Sequence, residues 1–209
     1  MDKNFNLVKH PLIKRDITIL REASTPPEIF REVVKRISII LAVEMSKNFE
    51  ISKIKIETPL EGTEGYKLEQ NVVLVPVLRA GLGMVNGFLE VIPEAKVGHI
   101  GLQRDEETLQ PIEYYFKIPK DIHESKVILL DPMLATGGSA TEALNYLKNR
   151  GAKECTFACL VAAPEGSNKI MQDHPDVKIY SAALDRELNN KGYILPGLGD
   201  AGDRTFGTL

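Results

Sequence analysis

Val127-Ile128-Leu129-Leu130-Asp131-Pro132-Met133-Leu134-Ala135-Thr136-Gly137-Gly138-Ser139 joins an apolar strand, a strand-end acid and a loop of small residues in one short segment. Four apolar residues in succession, without polar alternation, predict a strand covered on both faces, with Asp131 at its carboxyl end. In open α/β sheets that edge is where ligands bind. Thr136, Gly137, Gly138 and Ser139 lead into a helical pattern from Ser139 to about Asn149, with Gly151 just beyond. Small residues let backbone N–H groups close on an oxyanion, and the start of a helix adds favourable partial charge. The segment therefore predicts a phosphate cradle. No lysine follows the glycines, so it is not a Walker loop, and the Gly-x-Gly-x-x-Gly spacing is absent.

The flanks supply the rest of the sheet. Val72 to Leu78 is another continuous apolar run, broken by Arg79-Ala80-Gly81-Leu82-Gly83. A helical pattern follows at Met84, Val85, Phe88 and Leu89 and stops at Pro93, and Lys96 to Leu102 predicts the next strand. Gln103 to Gln110 is polar and Ile112 to Phe116 reads as a strand, which predicts a hairpin arm over about 103–118. Cys155 to Ala162 and Val177 to Ala182 are two further strands. Strand–helix–strand order at this spacing predicts an α/β fold with a mostly parallel central sheet flanked by helices.

Towards the amino end, Thr25-Pro26-Pro27-Glu28 reads as a capping box. The apolar stripe Ile29, Phe30, Val33, Val34, Ile37, Ile40, Leu41 and Met45 after it is a core or interface face. At the other end, residues 185–209 are rich in glycine, yet Tyr193-Ile194-Leu195-Pro196 is apolar enough to pack. Asp185-Arg186-Glu187 is expected to form a surface ion pair. No repeat or linker divides the chain, so residues 1–209 are expected to form one domain.

Composition narrows the function. Among 209 residues, 43% are hydrophobic and 26% charged, the balance of a globular protein with a sizeable core. The net charge is −3 without a Lys/Arg run, which disfavours nucleic acid and anionic membranes as partners. No apolar run approaches a membrane helix, and the first residues lack a signal-peptide pattern, so a cytoplasmic location is expected. Cys155 and Cys159 share one predicted strand, ~13 Å apart and too far for a disulfide, and are expected to be core residues. His10, His99, His123 and His174 have no partner at metal-ligand spacing.

The Asp131 to Ser139 segment resembles the phosphoribosyl pyrophosphate (PRPP) loop of type I phosphoribosyltransferases. That class usually carries two adjacent acids here, whereas this chain has Asp131 followed by Pro132; the single-acid version resembles the uracil-specific branch. Val77-Leu78-Arg79-Ala80-Gly81-Leu82-Gly83-Met84 resembles that branch's pyrophosphate loop, with Asn86 where relatives often have aspartate. Gly101-Leu102-Gln103-Arg104-Asp105-Glu106 resembles its mobile arm. Tyr193 to Arg204, with Gly197, Gly199, Asp200, Ala201, Gly202 and Asp203, resembles its C-terminal hood.

The resemblance implies a uracil phosphoribosyltransferase. PRPP would be held by Arg79, Arg104, Asp131, Pro132, Met133, Leu134, Ala135, Thr136, Gly137, Gly138, Ser139 and Asp200. Uracil would be held by Ile194, Gly199, Asp200 and Ala201, and Mg²⁺ would arrive with PRPP on the Asp200 side. Arg79, Asp131 and Asp200 are the implied catalytic residues, and Asp200 is the candidate base for uracil N1. The resemblance and the apolar stripe together imply a homodimer or homotetramer, and some relatives are activated by GTP. Two other readings stand beside this one: a sister transferase for another nucleobase such as a purine, which the hood opposes, and a PRPP-sensing regulator that binds RNA or DNA, which the charge opposes.

Overall fold

The computed structural model describes residues 3–104 and 111–208. In chain order it contains β1 (Phe5–Leu7), α1 (Pro11–Arg21), α2 (Pro27–Ser46), β2 (Ile51–Glu57), β3 (Gly62–Leu68), β4 (Asn71–Leu78) and α3 (Leu82–Val91). β5 (Lys96–Val97), β6 (His99–Arg104), β7 (Pro111–Lys117), β8 (Ser125–Leu130), β9 (Met133–Leu134) and α4 (Gly138–Asn149) follow. The chain ends with β10 (Glu154–Ala162), α5 (Pro164–Asp173), β11 (Lys178–Leu184), β12 (Glu187–Leu188), β13 (Ile194–Leu195) and α6 (Ala201–Phe206).

The main sheet runs β1-β11-β10-β8-β4-β6-β7, and every neighbouring pair on that path is parallel except β6–β7. Its apolar runs are continuous because both faces are covered. Val72 and Leu74 of β4, with Ile128 and Leu130 of β8, join the core formed with α1, α2 and α3. Val73, Val75 and Val77 of β4, with Val127 and Leu129 of β8, join the core formed with α4 and α5. Alternation along each strand feeds two hydrophobic layers at once. Since β4, β8, β10 and β11 are parallel, their carboxyl ends share one edge, and Arg79, Asp131 and Asp185 directly follow the ends of β4, β8 and β11.

Several local expectations need correction. The helix α2 has Pro26, not Thr25, at its cap position, and the Thr25 hydroxyl donates to the Ile19 carbonyl at 2.6 Å. Proline in the first turn sets the backbone for a helix without a capping side chain. The stripe on α2 is core: Phe30, Val33, Val34, Ile37, Leu41 and Met45 are buried within the same chain, although Ile29 at its start is exposed. It therefore gives no argument for a subunit interface. The predicted strand from Lys96 splits at Gly98, whose N–H donates to Leu74 O at 2.8 Å between the two short partners of β4. The elements β1, α1, α5 and the β2–β3 hairpin extend the plan read from the sequence.

Cys155 and Cys159 are buried free thiols on β10, and burial pushes them up to about 11 and about 12. Both are inert near neutral pH. No helix among the described residues is long and apolar enough to cross a membrane.

Candidate active site

Three loops meet at the carboxyl edge of the sheet. The first runs from Asp131 to the start of α4. Its backbone is fixed from behind: Asp131 N–H donates to Ala158 O at 3.2 Å, and the Pro132 carbonyl accepts from Leu160 and Val161 N–H at 3.0 and 3.1 Å. Pro132 can serve there because it needs only its carbonyl. Gly137 precedes α4 with φ of +81°, and an added Cβ there would lie 2.9 Å from the Gly166 carbonyl. The cap residue Gly137 has no side chain to offer α4; Gly138 N–H donates weakly to the Thr136 hydroxyl at 3.4 Å, and the next N–H groups of the first turn are left to face whatever enters the loop. A concavity of about 140 Å³ lies here, lined by Asp131, Met133 through Ala140, and Gly192. A cavity of about 200 Å³ lies at the opposite, amino-end edge of the strands, beside Lys126, Cys155 and Tyr180. None of the groups read from the sequence as chemical reaches that second cavity.

Asp131 is electrostatically unusual. Burial pushes its carboxyl up to about 7, while the Met133 N–H, donating at 3.3 Å, pulls the other way. The residue as a whole is only partly buried, but its carboxyl end is enclosed by protein. A carboxyl group raised in this way favours folding below its ordinary value of 3.8, and that contribution is lost as pH rises through about 7. Asp131→Asn keeps an acceptor for Met133 and removes the ionising group. The variant is therefore expected to gain stability over the parent on the order of 1–2 kcal/mol at pH 8.5, and little at pH 4. Thermal melts at the two pH values check this. A gain that fails to grow with pH, or a loss of cooperative melting, would place Asp131 among the supports of the fold.

The second loop follows β4. Leu78–Arg79 is a cis peptide, and Gly81 fits so closely beneath Leu130 O and Val77 that a Cβ would collide with both backbones. Arg79 is exposed and its guanidinium Nη2 donates to Asp203 Oδ1 at 3.0 Å. Asn86 lies one helical turn into α3, on an exposed face beside Arg31 and Thr205. Arg104 ends β6, and its side chain and residues 105–110 lie outside the described residues. The strands flanking that gap, β6 and β7, pair antiparallel from His99↔Lys117 to Arg104↔Pro111.

The third element is the C-terminal segment. The strands β12 and β13 form a small antiparallel pair whose turn is closed by Asn189, the Oδ1 of which accepts from Lys191 and Tyr193 N–H at 2.9 and 3.0 Å. Ile194 and Ala201 are buried, while Gly199 and Asp200 are exposed. Asp200 caps α6 by accepting from Asp203 N–H at 2.9 Å.

Two arginines fix this segment, and neither was visible as functional in the sequence. Asp185 is buried rather than on the surface, so the expected surface ion pair is corrected: it holds Arg21 of α1 through both carboxylate oxygens at 2.5 and 2.9 Å. Asp185 also accepts from Gly197 N–H at 2.8 Å, and Arg21 donates to Gly197 O at 2.9 Å. Its neighbours Arg186 and Glu187 do form an exposed pair at 2.9 Å. Arg204 is buried against the Phe30 ring and donates to the carbonyls of Leu20, Leu198 and Glu22. Replacing one member of a buried pair strands the other charge, so Asp185→Ala is expected to cost about 3 kcal/mol. It should also loosen the segment around Gly197, which loses its anchor. Urea unfolding and limited proteolysis check the two halves; unchanged stability and an unchanged cleavage rate within 185–209 would show the clamp to be idle.

The three loops touch. An added Cβ at Gly192 would lie 3.6 Å from Thr136, and one at Gly202 would lie 3.7 Å from the Ala80 side chain. Gly192 lines the same concavity as Thr136, and the Arg79–Asp203 pair joins the C-terminal segment to the second loop, so that segment lies against both others. The chain matches the family described as uracil phosphoribosyltransferase over residues 7–208. It belongs to the uracil phosphoribosyltransferase family. A uracil phosphoribosyltransferase of Salinibacter ruber is 54% identical over 206 residues, covering 99% of this chain and 98% of its own. The solved structure of the AQ2163 protein from Aquifex aeolicus superposes with a TM-score of 0.92 at 37% identity, over 97% of each chain. A hypoxanthine-guanine phosphoribosyltransferase from Bacillus anthracis shares the fold alone, with a TM-score of 0.52 at 13% identity over 76% of this chain and 80% of its own. The fold is thus that of the type I phosphoribosyltransferases, and family membership takes the base away from the purine alternative.

Proposed function

We infer that the chain transfers the 5-phosphoribosyl group of PRPP to N1 of uracil, giving UMP and diphosphate. The observation that carries this reading is the closure of the C-terminal segment of a uracil phosphoribosyltransferase family member onto both the Asp131–Ser139 loop and the Arg79 loop. Transfer separates diphosphate from the anomeric carbon through a positively charged, oxocarbenium-like state. The protein must then hold the 5-phosphate, neutralise the departing diphosphate and align uracil N1.

The start of α4, whose cap residue has no side chain, and the small residues Ala135 to Ser139 suit the 5-phosphate. Asp131 lines the same concavity, which supports assigning it to the ribose hydroxyls. Arg79 and Arg104 are the cations for diphosphate, and Mg²⁺ enters as part of the substrate, on the Asp200 side. Uracil is read by backbone at Ile194 and Gly199 to Ala201, and Arg21, Asp185 and Arg204 anchor Gly197 and Leu198 between them. Asp200 is the candidate acceptor for the N1 proton.

Arg79→Ala removes a cation aimed at charge that develops only as the bond breaks, so kcat is expected to fall on the order of 10²-fold. Steady-state kinetics with uracil and PRPP measures it. A change confined to KM would move Arg79 from the leaving group to ground-state binding.

Assembly into a homodimer or homotetramer is supported by the β2–β3 hairpin, where Ile51, Leu60 and Tyr66 are exposed. Buried free thiols accord with a reducing, cytoplasmic setting. The net charge of −3 continues to weigh against a nucleic-acid-binding regulator.

A further inference from the structure

The cation assigned to diphosphate is already occupied. Arg79 Nη2 donates to Asp203 Oδ1 at 3.0 Å, and the same oxygen accepts from the Thr208 hydroxyl at 2.6 Å. The pair is built from distant parts of the chain, with the arginine after β4 and the acid in the first turn of α6. The side chains are 57% and 31% exposed, so the pair is open to an incoming anion. A guanidinium carries five N–H donors in a flat fork, so it can turn towards a diphosphate without releasing every bond at once. The carboxylate cannot follow, because Asp203 N–H is tied to Asp200 and the Asp203 carbonyl accepts from Gly207 and Thr208 N–H at 2.7 and 3.1 Å.

We propose that Asp203 is a positioning residue for Arg79, an internal counter-ion that holds the guanidinium until diphosphate arrives and competes with diphosphate for it. The exchange balances: one carboxylate–guanidinium pair opens as one diphosphate–guanidinium pair forms, and the reverse exchange helps diphosphate leave. The inference rests on the assignment of Arg79 to diphosphate in the proposed function. It adds that the affinity for product is set by a residue that touches neither substrate nor product.

The test is calorimetric titration of the full chain with magnesium diphosphate, together with steady-state kinetics. Asp203→Asn keeps the shape of the side chain and removes its charge. Diphosphate should then bind roughly 2- to 5-fold more tightly, the range that an exposed ion pair is worth. The kcat should fall, because Arg79 loses the partner that orients it, while the KM for PRPP falls or stays level. On an Arg79→Ala background the same substitution should lose that gain. Thr208→Val, which strips the second donor from Oδ1 and leaves it freer for Arg79, should shift diphosphate affinity the opposite way. That variant also serves if Asp203→Asn fails to fold. Weaker or unchanged diphosphate binding in Asp203→Asn would overturn the proposal, as would equal tightening in both backgrounds or tighter binding in Thr208→Val. If the parent chain itself binds no magnesium diphosphate, the failure belongs to the functional reading instead.

Discussion

Excess chelator is expected to abolish nucleotide formation from uracil and PRPP, and added Mg²⁺ to restore it. The departing diphosphate carries several negative charges, and the described residues offer little to meet them. Arg79 is present but shares its charge with Asp203 at 3.0 Å. Among the described residues, no group of three or more His, Cys, Asp or Glu could hold a resident ion. In the proposed reaction the cation arrives with the substrate, where it would add charge that Arg79 alone does not supply. The rate of product formation against free Mg²⁺, at fixed PRPP and uracil, measures this. An undiminished rate in excess chelator would mean that the protein's own cations neutralise the leaving group.

The parts of this site that were legible in the sequence are those whose physics is local. The strand β8, Asp131 and the small residues before α4 lie in one segment, and each step follows from its neighbours. The same holds for Arg79, which stands where the apolar run of β4 ends. The hairpin β6–β7 was legible as a polar stretch between two strand-like runs, though residues 105–110 lie outside the described residues. The clamps were not legible, because their partners are remote. Arg21 and Asp185 are 164 positions apart, and Arg204 reaches Leu20 across 184. Nothing within a window around either arginine distinguishes it from a surface charge. Asp185 did carry a signal, an acid just past the end of a buried strand, the same position that drew attention to Asp131.

Other misreadings have equally particular causes. Thr25 fits the spacing of a capping box, but the two prolines after it shift the helix start to Pro27 and turn the hydroxyl back to Ile19. The helix α1 was missed although Pro11 opens it and Ile13, Ile17 and Leu20 recur at helical spacing on its buried face. The hairpin of β2 and β3 is exposed along most of its length, so it lacks the half-buried alternation that announces a strand.

In the proposed function backbone, not side chains, reads the base. Uracil presents O4 as an acceptor beside N3–H as a donor, and cytosine reverses both. A side-chain amide could rotate to suit either pattern. The segment from Ile194 to Ala201 cannot, because Asp185 and Arg21 fix both backbone groups of Gly197 and Arg204 fixes the Leu198 carbonyl. An added Cβ at Gly197 would also collide with Ile194 O, so the chain has little room to re-form. Cytosine would set two backbone groups, covered once the ring is bound, against like partners, at roughly 1–3 kcal/mol each. Sites built on hydrogen bonds reject such mismatches strongly, and a purine would fail on size as well. The decisive measurement is kcat/KM for uracil, cytosine and hypoxanthine side by side at saturating PRPP. Uracil should exceed cytosine at least on the order of 10²-fold, with hypoxanthine lower still. Comparable values for uracil and cytosine would contradict backbone readout, and a preference for hypoxanthine would contradict the assigned substrate.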